Sequence, residues 1–532
     1  MSEEQRAFFA VDLGTATCAV SLVGWVDGRW RLLGSTAAPA SIGADPLVAL
    51  LSDRLREADP ALAATLRLSH DGDEPARVIA RTVMPPMLAV VAASARAIAP
   101  LVAAAGTAGW RVRSLALDGA DVLGVSRLLD DQAIDAVLAG ASDPPGGDER
   151  GLVPELTNLV GSAAQRRPNL AFVLAGGLAE RLGRLETLAG SERPGSVIVA
   201  PAATSGDPPG EPLREILDGL RGHPDDGRRA LARATATLAA VLERQIELVE
   251  IGHEAGTRVV APPSEGRVMT AIVPGAALVP DDVPDAVVDG VLGWSTTQVD
   301  RLRLRDRLRE LRFAPWNEAH GDGALLRLAA ARAALSRLVA ATPSFAGLSM
   351  PDLVVAAGGP WQVAPGPAVG LALADVLRRS GATGLTLDHA RLLAPLGAVP
   401  QDQERHRLIA DLRDDLLAPI GSVVMPSGLR ASKSAGQLVV HAPGGASETE
   451  LIPGGLQLVD LPPGERAIVE FRFRDPVVLG ARGRHFAVDV GGGLGGLLVD
   501  LRDVPLRLPE RLERRRELLD AWQRALWSGL EA

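Results

Sequence analysis

FFAVDLGTATCAVSLVGWVDGRWRLLGSTAAP, residues 8–39, is the stretch that decides the fold. Apolar residues run into Asp12, a short turn follows, and alternating apolar positions then resume, as in a half-buried strand. Asp27-Gly28 is a dipeptide typical of a tight hairpin. The stretch therefore predicts a three-stranded meander with an acid at its first bend.

The first bend has the chemistry of a phosphate-binding loop. Backbone N–H groups in a turn of glycine and threonine can cradle phosphate oxygens, and a carboxylate at a strand end can hold a hydrated Mg²⁺. We predict that Gly14, Thr15 and Thr17 bind phosphate and that Asp12 holds the metal and serves catalysis. An ordinary hairpin turn remains the alternative, since strand ends often carry aspartate and glycine.

Composition excludes several classes of protein. The chain has 532 residues, which suggests roughly three domains. A net charge of −10 argues against nucleic acid as a partner. Lys433 is the only lysine and stands in no Gly-Lys-Ser/Thr triplet, so a P-loop is excluded. Cys18 is the single cysteine, which excludes a disulfide framework and a cysteine-ligated metal cluster within one chain. Without a signal peptide or an uninterrupted apolar span, we expect a cytoplasmic protein with no membrane segment.

A second stretch, IELVEIGHEAGTRVVA at residues 246–261, has the same shape as the first. A strand ends in Glu250-x-Gly252, a short turn follows, and a strand resumes. An actin-like ATPase, which the first stretch resembles, clasps phosphates between two such hairpins, so the resemblance implies that Glu250 serves catalysis and that Gly252 contacts phosphate. A relic that keeps only the fold is the alternative for this bend.

The third stretch is DLVVAAGGPWQVAPGPAVGLALADVLRR, residues 352–379. Its pattern predicts a strand, the pair Gly358-Gly359, and a helix. A paired glycine lets the backbone pass close against a flat ring, which a Cβ would block. In the actin-like ATPases a loop of this kind lies against the adenosine, so the resemblance to them implies that Gly358 and Gly359 contact the base of a nucleotide.

Three further segments carry weaker signals. The Ala-rich residues 87–106 predict a helix, and the acidic, Gly-rich turn near Asp143 could face a ligand or be a surface connection. From Gln437 to Val504, short strand-like runs predict a β-rich module. The glycine-rich turn near Gly491 lies within it, and we interpret it as a structural hairpin.

The first bend resembles the first phosphate loop of the actin-like ATPases, the superfamily of sugar kinases, actin and related chaperones. The ordered motifs together resemble the glutamate mutase-associated MutL family over about residues 1–415; this family is unrelated to the mismatch-repair protein of the same name. The resemblance implies an α/β, two-lobed actin-like fold with ribonuclease H-like lobes. It suggests a first lobe over residues 1–245, a second lobe over 246–415 and a β-rich C-terminal extension over 416–532.

The resemblance also implies a function. Members of that family serve adenosylcobalamin-dependent mutases as a chaperone or reactivating factor, with ATP and Mg²⁺ as cofactors and a mutase subunit as partner. Asp12, Gly14, Thr15, Gly358 and Gly359 carry over. Glu250 stands where the family has aspartate, so ATP hydrolysis is left open. The alternatives are a nucleotide-free actin-like scaffold or partner-binding protein and a small-molecule kinase, for which no carboxylate base stands out.

Overall fold

The structure is a computed structural model that describes residues 6–68, 75–119, 122–181, 183, 197–222, 226–264, 266–315, 321–348, 350–362, 364–443 and 445–527. The opening stretch forms the predicted meander of β1 (Ala7–Leu13), β2 (Thr17–Val26) and β3 (Arg29–Pro39), and β4 (Ala76–Arg81) pairs in parallel with β1. The strand order is β3-β2-β1-β4. Two helices, Asp45–Ala58 and Pro60–Thr65, cover one face of this sheet.

A separate parallel sheet follows between β4 and residue 226. Its strands are β5 (Met87–Ala92), β6 (Arg111–Ala116), β7 (Ala136–Ala141), β8 (Ala171–Gly176) and β9 (Val197–Ala200), in the order β6-β5-β7-β8-β9. Its described helices are Ala95–Thr107, Val122–Asp130, Glu149–Arg166 and Glu211–Leu220. The predicted helix over 87–106 is wrong in its first third, which is β5. Both faces of β5 are buried, so its apolar run is continuous and cannot be told from a buried helix by periodicity.

The second informative stretch starts another sheet with the strand order of the first. Its strands are β10 (Ile246–Ile251), β11 (Gly256–Ala261), β12 (Met269–Val273), β13 (Leu353–Ala357) and β14 (Gly381–Leu387), in the order β12-β11-β10-β13-β14. β10 and β11 form the predicted hairpin, and β13 pairs in parallel with β10. The helices of this part are Asp285–Trp294, Arg301–Phe313, Asp322–Ala341, Gly359–Gln362 and Gly366–Val376.

The chain after residue 416 contributes to two sheets. Its strands are β15 (Ala418–Met425), β16 (Gly436–Ala442), β17 (Gly445–Leu451), β18 (Leu456–Val459), β19 (Arg466–Leu479), β20 (Ala481–Gly491) and β21 (Leu497–Asp500). β17-β16-β19-β20 form an antiparallel sheet, while β15, β21 and β18 extend the second-lobe sheet beyond β14. The helix Leu512–Trp527 follows. The predicted boundaries at residues 245 and 415 stay predictions.

Three helices lie between the first sheet and the second: Gly227–Leu242, Leu393–Ala398 and Asp402–Leu416. The last of them is tied to β3, because Asp415 pairs with Arg31 at 2.6 Å and accepts the backbone N–H of Leu32 at 3.2 Å. Gly397 packs so closely on the helix Gly227–Leu242 that an added Cβ would lie 1.8 Å from the Ala230 carbonyl oxygen. The helices Gly227–Leu242 and Leu393–Ala398 therefore cross with their backbones in close contact. None of the helices described is long and apolar enough to cross a membrane.

Candidate functional site

The two bends that follow β1 and β10 have the same backbone geometry. In each, the glycine N–H donates to the carbonyl three residues further on, from Gly14 to Thr17 at 2.8 Å and from Gly252 to Ala255 at 3.0 Å. In each, an acid lies two residues before the glycine, on a strand with a parallel neighbour. The second bend is therefore the structural counterpart of the first, although its sequence differs.

Both bends face one cleft, which they share with the glycine pair after β13. All eight sequence-predicted site residues line it, namely Asp12, Gly14, Thr15, Thr17, Glu250, Gly252, Gly358 and Gly359. The space between the lining residues is about 630 Å³, including the part open to solvent, a size usual for small-molecule sites. The structure thus brings together residues from three distant stretches, while their roles stay predictions.

The glycine pair brings its loop against the second hairpin. Gly358 has φ +100°, and a Cβ there would lie 2.2 Å from the carbonyl oxygen of Ile251. Only glycine can combine that backbone conformation with so close an approach. At Gly359, an added Cβ would lie 3.2 Å from a guanidinium nitrogen of Arg391. The pair therefore presents bare backbone to the cleft.

Three acids line the cleft, and burial is the largest influence on each. It raises the pKa of Asp12 and of Glu250, and the positive charge of Arg228 opposes both shifts. The hydroxyl of Thr257 donates to Glu250 Oε2 at 2.6 Å, which holds that carboxyl in place. Burial raises the pKa of Asp388 to about 7. The negative charge of Asp12 adds to the shifts of the other two, so the acids repel one another.

This arrangement fits a magnesium ion that arrives with phosphate. Within the described residues, no group of three or more His, Cys, Asp or Glu is arranged to hold a metal. Mg²⁺ commonly keeps several waters and takes one or two carboxylates together with substrate phosphates. A single acid such as Asp12, beside a bend predicted to bind phosphate, satisfies that requirement without a preformed cage.

The second bend carries two residues that a phosphate loop would not be expected to have. Glu254 is turned away, because its carboxylate pairs with Arg312 at 2.8 Å and does not line the cleft. His253 does line it. Burial, and next the positive charge of Arg312, lower the pKa of His253, so its imidazole is neutral near pH 7. The carboxylate of Glu254 is thereby paired outside the cleft.

Sequence analysis missed three charged residues of this cleft: Arg228, Asp388 and Arg391. Asp388 directly follows β14, whose carboxyl end lies at the same edge of the sheet as those of β10 and β13, so its position after a buried strand was a usable signal. Arg391 is three residues further on. Arg228 lies in the first turn of the helix Gly227–Leu242. Because the chain is rich in arginine, nothing in the local sequence distinguishes this one.

Two other glycine-rich turns do not line the cleft. The turn near Asp143 lies at the end of β7 in the parallel sheet, where Glu149 accepts hydrogen bonds from Ser142 at 3.1 Å and from Gly146 N–H at 3.1 Å. The turn after Gly491 packs against the backbone of Ile420 and Gly366, leaving no room for a Cβ at Gly493 or Gly495. Close packing explains the glycines of this second turn.

The strand order β12-β11-β10-β13-β14 is ribonuclease H-like, and the first sheet has the same order over its four described strands. With the facing acid-and-glycine hairpins, these sheets define the actin-like ATPase fold. Solved structures similar to this chain include the Aquifex aeolicus PPX-GPPA enzyme, at 9% identity over 76% of this chain and 89% of that chain, with a TM-score of 0.19. A diol dehydratase-reactivating factor in nucleotide-free form is 13% identical over 74% and 99%, with a TM-score of 0.28. A carbohydrate kinase from Novosphingobium aromaticivorans is 14% identical over 77% and 99%, with a TM-score of 0.22.

No protein-family model matches the chain, and no curated protein matches it in sequence. Structural likenesses at these identities and TM-scores carry no argument about activity or partners. Function has to be inferred from the cleft and from the motifs that form it.

Proposed function

We propose that this chain binds ATP with Mg²⁺ in the cleft between its two lobes. The observation that carries the proposal is the convergence on one cleft of eight residues from three distant stretches. In this proposal Asp12 holds the metal and Gly358 and Gly359 lie against the adenosine. The phosphates are bound by Gly14, Thr15, Thr17 and Gly252.

Individual residues of the cleft support specific roles in nucleotide binding and hydrolysis. The magnesium ion supplies positive charge to the phosphates when it is bound. A cation beside Asp12 opposes the effect of burial on its pKa and so favours the ionised carboxylate. Glu250 is our candidate for orienting a water in hydrolysis, since the Thr257 hydroxyl fixes its carboxyl group. A catalytic part for Asp12 and Glu250 makes the protein a candidate ATPase.

The nucleotide proposal is tested by replacing the acid of the first bend. We expect Mg²⁺ and ATP at millimolar concentration to raise the melting temperature of the unaltered protein, because a ligand that binds only the folded state stabilises it. In Asp12→Asn the shift should be lost. The matched control is Asp489→Asn, which alters an acid before a glycine-rich turn that is outside the cleft and should keep the full shift. An equal shift in Asp12→Asn and the unaltered protein would contradict the proposal.

We further propose that the nucleotide drives a chaperone or reactivating function for an adenosylcobalamin-dependent mutase of the glutamate mutase type. The support is the resemblance of residues 1–415 to the MutL family that accompanies such mutases. In this proposal the partner is a mutase subunit, from which the protein releases damaged cobalamin.

A nucleotide-free scaffold is the second candidate, because Arg228 and Arg391 already bring positive charge to the acids of the cleft. The two candidates differ in an assay with a glutamate mutase-type enzyme that carries inactive cobalamin. A reactivating factor should release cobalamin in the presence of Mg²⁺ and ATP but not without nucleotide, as followed by absorbance after gel filtration. If the protein associates stably with the mutase whether or not ATP is present, and no cobalamin is released, the scaffold is favoured.

A further inference from the structure

Two arginines face the cleft with hydrogen-bond donors left over. Arg228 is 1% exposed; its Nη1 donates to the Val83 carbonyl at 2.9 Å, while its Nε has no partner within the described residues. Arg391 donates from Nε to Gln362 Oε1 at 3.1 Å. In the part of the chain that is described, neither guanidinium lies within ion-pair distance of a carboxylate.

This lack of ion pairs is unexpected, because three acids line the same cleft. Arg228 is near enough to lower the pKa of both Asp12 and Glu250, and Arg391 that of Asp12 and Asp388, yet no contact forms. A buried guanidinium with an unused donor is unfavourable unless something else completes its hydrogen bonds. The space in front of Arg228 therefore suits an anion with several acceptor oxygens.

The backbone holds Arg228 firmly at this point. Asp226 caps the helix Gly227–Leu242 and accepts the Arg228 N–H at 3.2 Å, and it is itself paired with Arg221 at 3.1 Å. The guanidinium consequently acts from a fixed helix start whose N–H groups also favour negative charge. A phosphate group reaching this place would meet an oriented cation.

Both arginines act on Asp12, whereas Arg228 acts also on Glu250 and Arg391 lies beside Gly359. Arg391 is beside Gly359, in the loop assigned to the adenosine. Arg228 acts on Asp12 and Glu250, the acids of the two facing bends. A nucleotide with its base on the glycine pair would run its phosphate chain past Arg391 and end it near Arg228.

From this arrangement we propose that Arg228 binds the terminal phosphate of a nucleoside triphosphate and gives the cleft its preference for triphosphate over diphosphate. The inference rests on the proposed nucleotide-binding function. A guanidinium presents a planar fork of donors to phosphate oxygens, and such charge-assisted hydrogen bonds are strong and geometrically specific. Arg391, nearer to the base, contacts the part that ATP and ADP share.

The test compares the affinities of ATP and ADP, each with Mg²⁺, by calorimetric titration. In Arg228→Gln we expect ATP to bind about 10 to 100-fold more weakly while ADP changes less than about threefold, since one charge-assisted contact to the terminal phosphate is lost. Arg391→Gln should weaken both nucleotides alike. Arg229→Gln is the matched control, because Arg229 pairs with Asp218 at 3.0 Å outside the cleft, and it should leave both affinities unchanged.

Arg228→Lys protects the test against a folding defect, because it keeps the charge and should recover part of the ATP preference. Equal losses for ATP and ADP in Arg228→Gln, or no loss, would overturn the inference and leave nucleotide binding intact. Failure of the unaltered protein to bind either nucleotide would instead overturn the proposed function on which the inference depends.

Discussion

At Asp388, burial raises the pKa of a carboxyl from 3.8 to about 7, and the N–H of Leu392, donating at 2.9 Å, opposes the shift. The folded protein therefore holds the Asp388 proton more tightly than the unfolded chain does. Ionising Asp388 in the folded protein lowers the free energy of unfolding. This destabilisation is absent below about pH 4 and grows until about pH 7. Above that pH it is constant, and it amounts to on the order of 4 kcal/mol.

Asp388→Asn removes this ionisation while keeping an oxygen that can accept the Leu392 N–H. We expect the variant to gain stability relative to the unaltered protein as pH rises from about 4 to 7, by up to a few kcal/mol. Urea unfolding at several pH values measures the difference. A difference that is the same at pH 5 and pH 8 would show that Asp388 does not titrate with the raised pKa.

Some residues of the cleft could be found from the sequence, and others could not. Asp12 and Glu250 stand at the ends of apolar runs before glycine, a pattern visible in one dimension. Arg228 acts on Glu250 only because the helix Gly227–Leu242 is brought beside β4 and β10, and no local pattern encodes that contact. The sequence therefore indicated Asp12, Glu250 and the glycines of the site but not its two arginines.

At the scale of elements, the helices Gly227–Leu242 and Leu393–Ala398 pack with their backbones in close contact. An added Cβ at Gly397 would lie 1.8 Å from the Ala230 carbonyl oxygen, a backbone atom that cannot turn aside. Gly370, in the helix Gly366–Val376, would meet nothing closer than 3.7 Å. The same substitution should thus have opposite effects at the two glycines.

We expect Gly397→Ala to lower the free energy of unfolding by about 1 to 3 kcal/mol or more through overpacking. Gly370→Ala should raise it by about 0.5 to 1 kcal/mol, because alanine loses less backbone entropy in a helix. Chemical denaturation of the two variants measures both values. Equal stability of Gly397→Ala and Gly370→Ala would contradict the close crossing.

Hairpins were easier to predict than buried parallel strands. The meander β1-β2-β3 and the hairpin β10-β11 show alternation and turn residues, which specify them locally. The parallel sheet β5 to β9 is covered by helices on both faces, so its strands are short apolar runs without alternation. The addition of β15, β21 and β18 to the second-lobe sheet depends on distant pairing, which no pattern within the tail specifies.

In the whole molecule, contacts between residues far apart in the sequence hold the lobes together. The helix Asp402–Leu416 returns to β3, where Arg31 pairs with Asp415, and Ser21 donates to the Ala390 carbonyl at 2.8 Å. The parallel-sheet part of the chain also touches the second lobe, through a β-bridge between Ala108 and Ile272. Arg267 pairs there with Glu211 and with Glu215, and Arg111 pairs with Asp281 at 3.4 Å. The lobes are thus joined by contacts from both the meander and the parallel-sheet part of the chain.

The account depends on the cleft binding a nucleotide, and calorimetric titration of the whole chain with ATP in the presence of Mg²⁺ tests this most directly. We predict one ATP bound per chain, with weaker binding when EDTA removes the metal, since the acids of the cleft then repel the phosphates without compensation. No heat of binding with ATP at millimolar concentration, with and without Mg²⁺, would contradict the account.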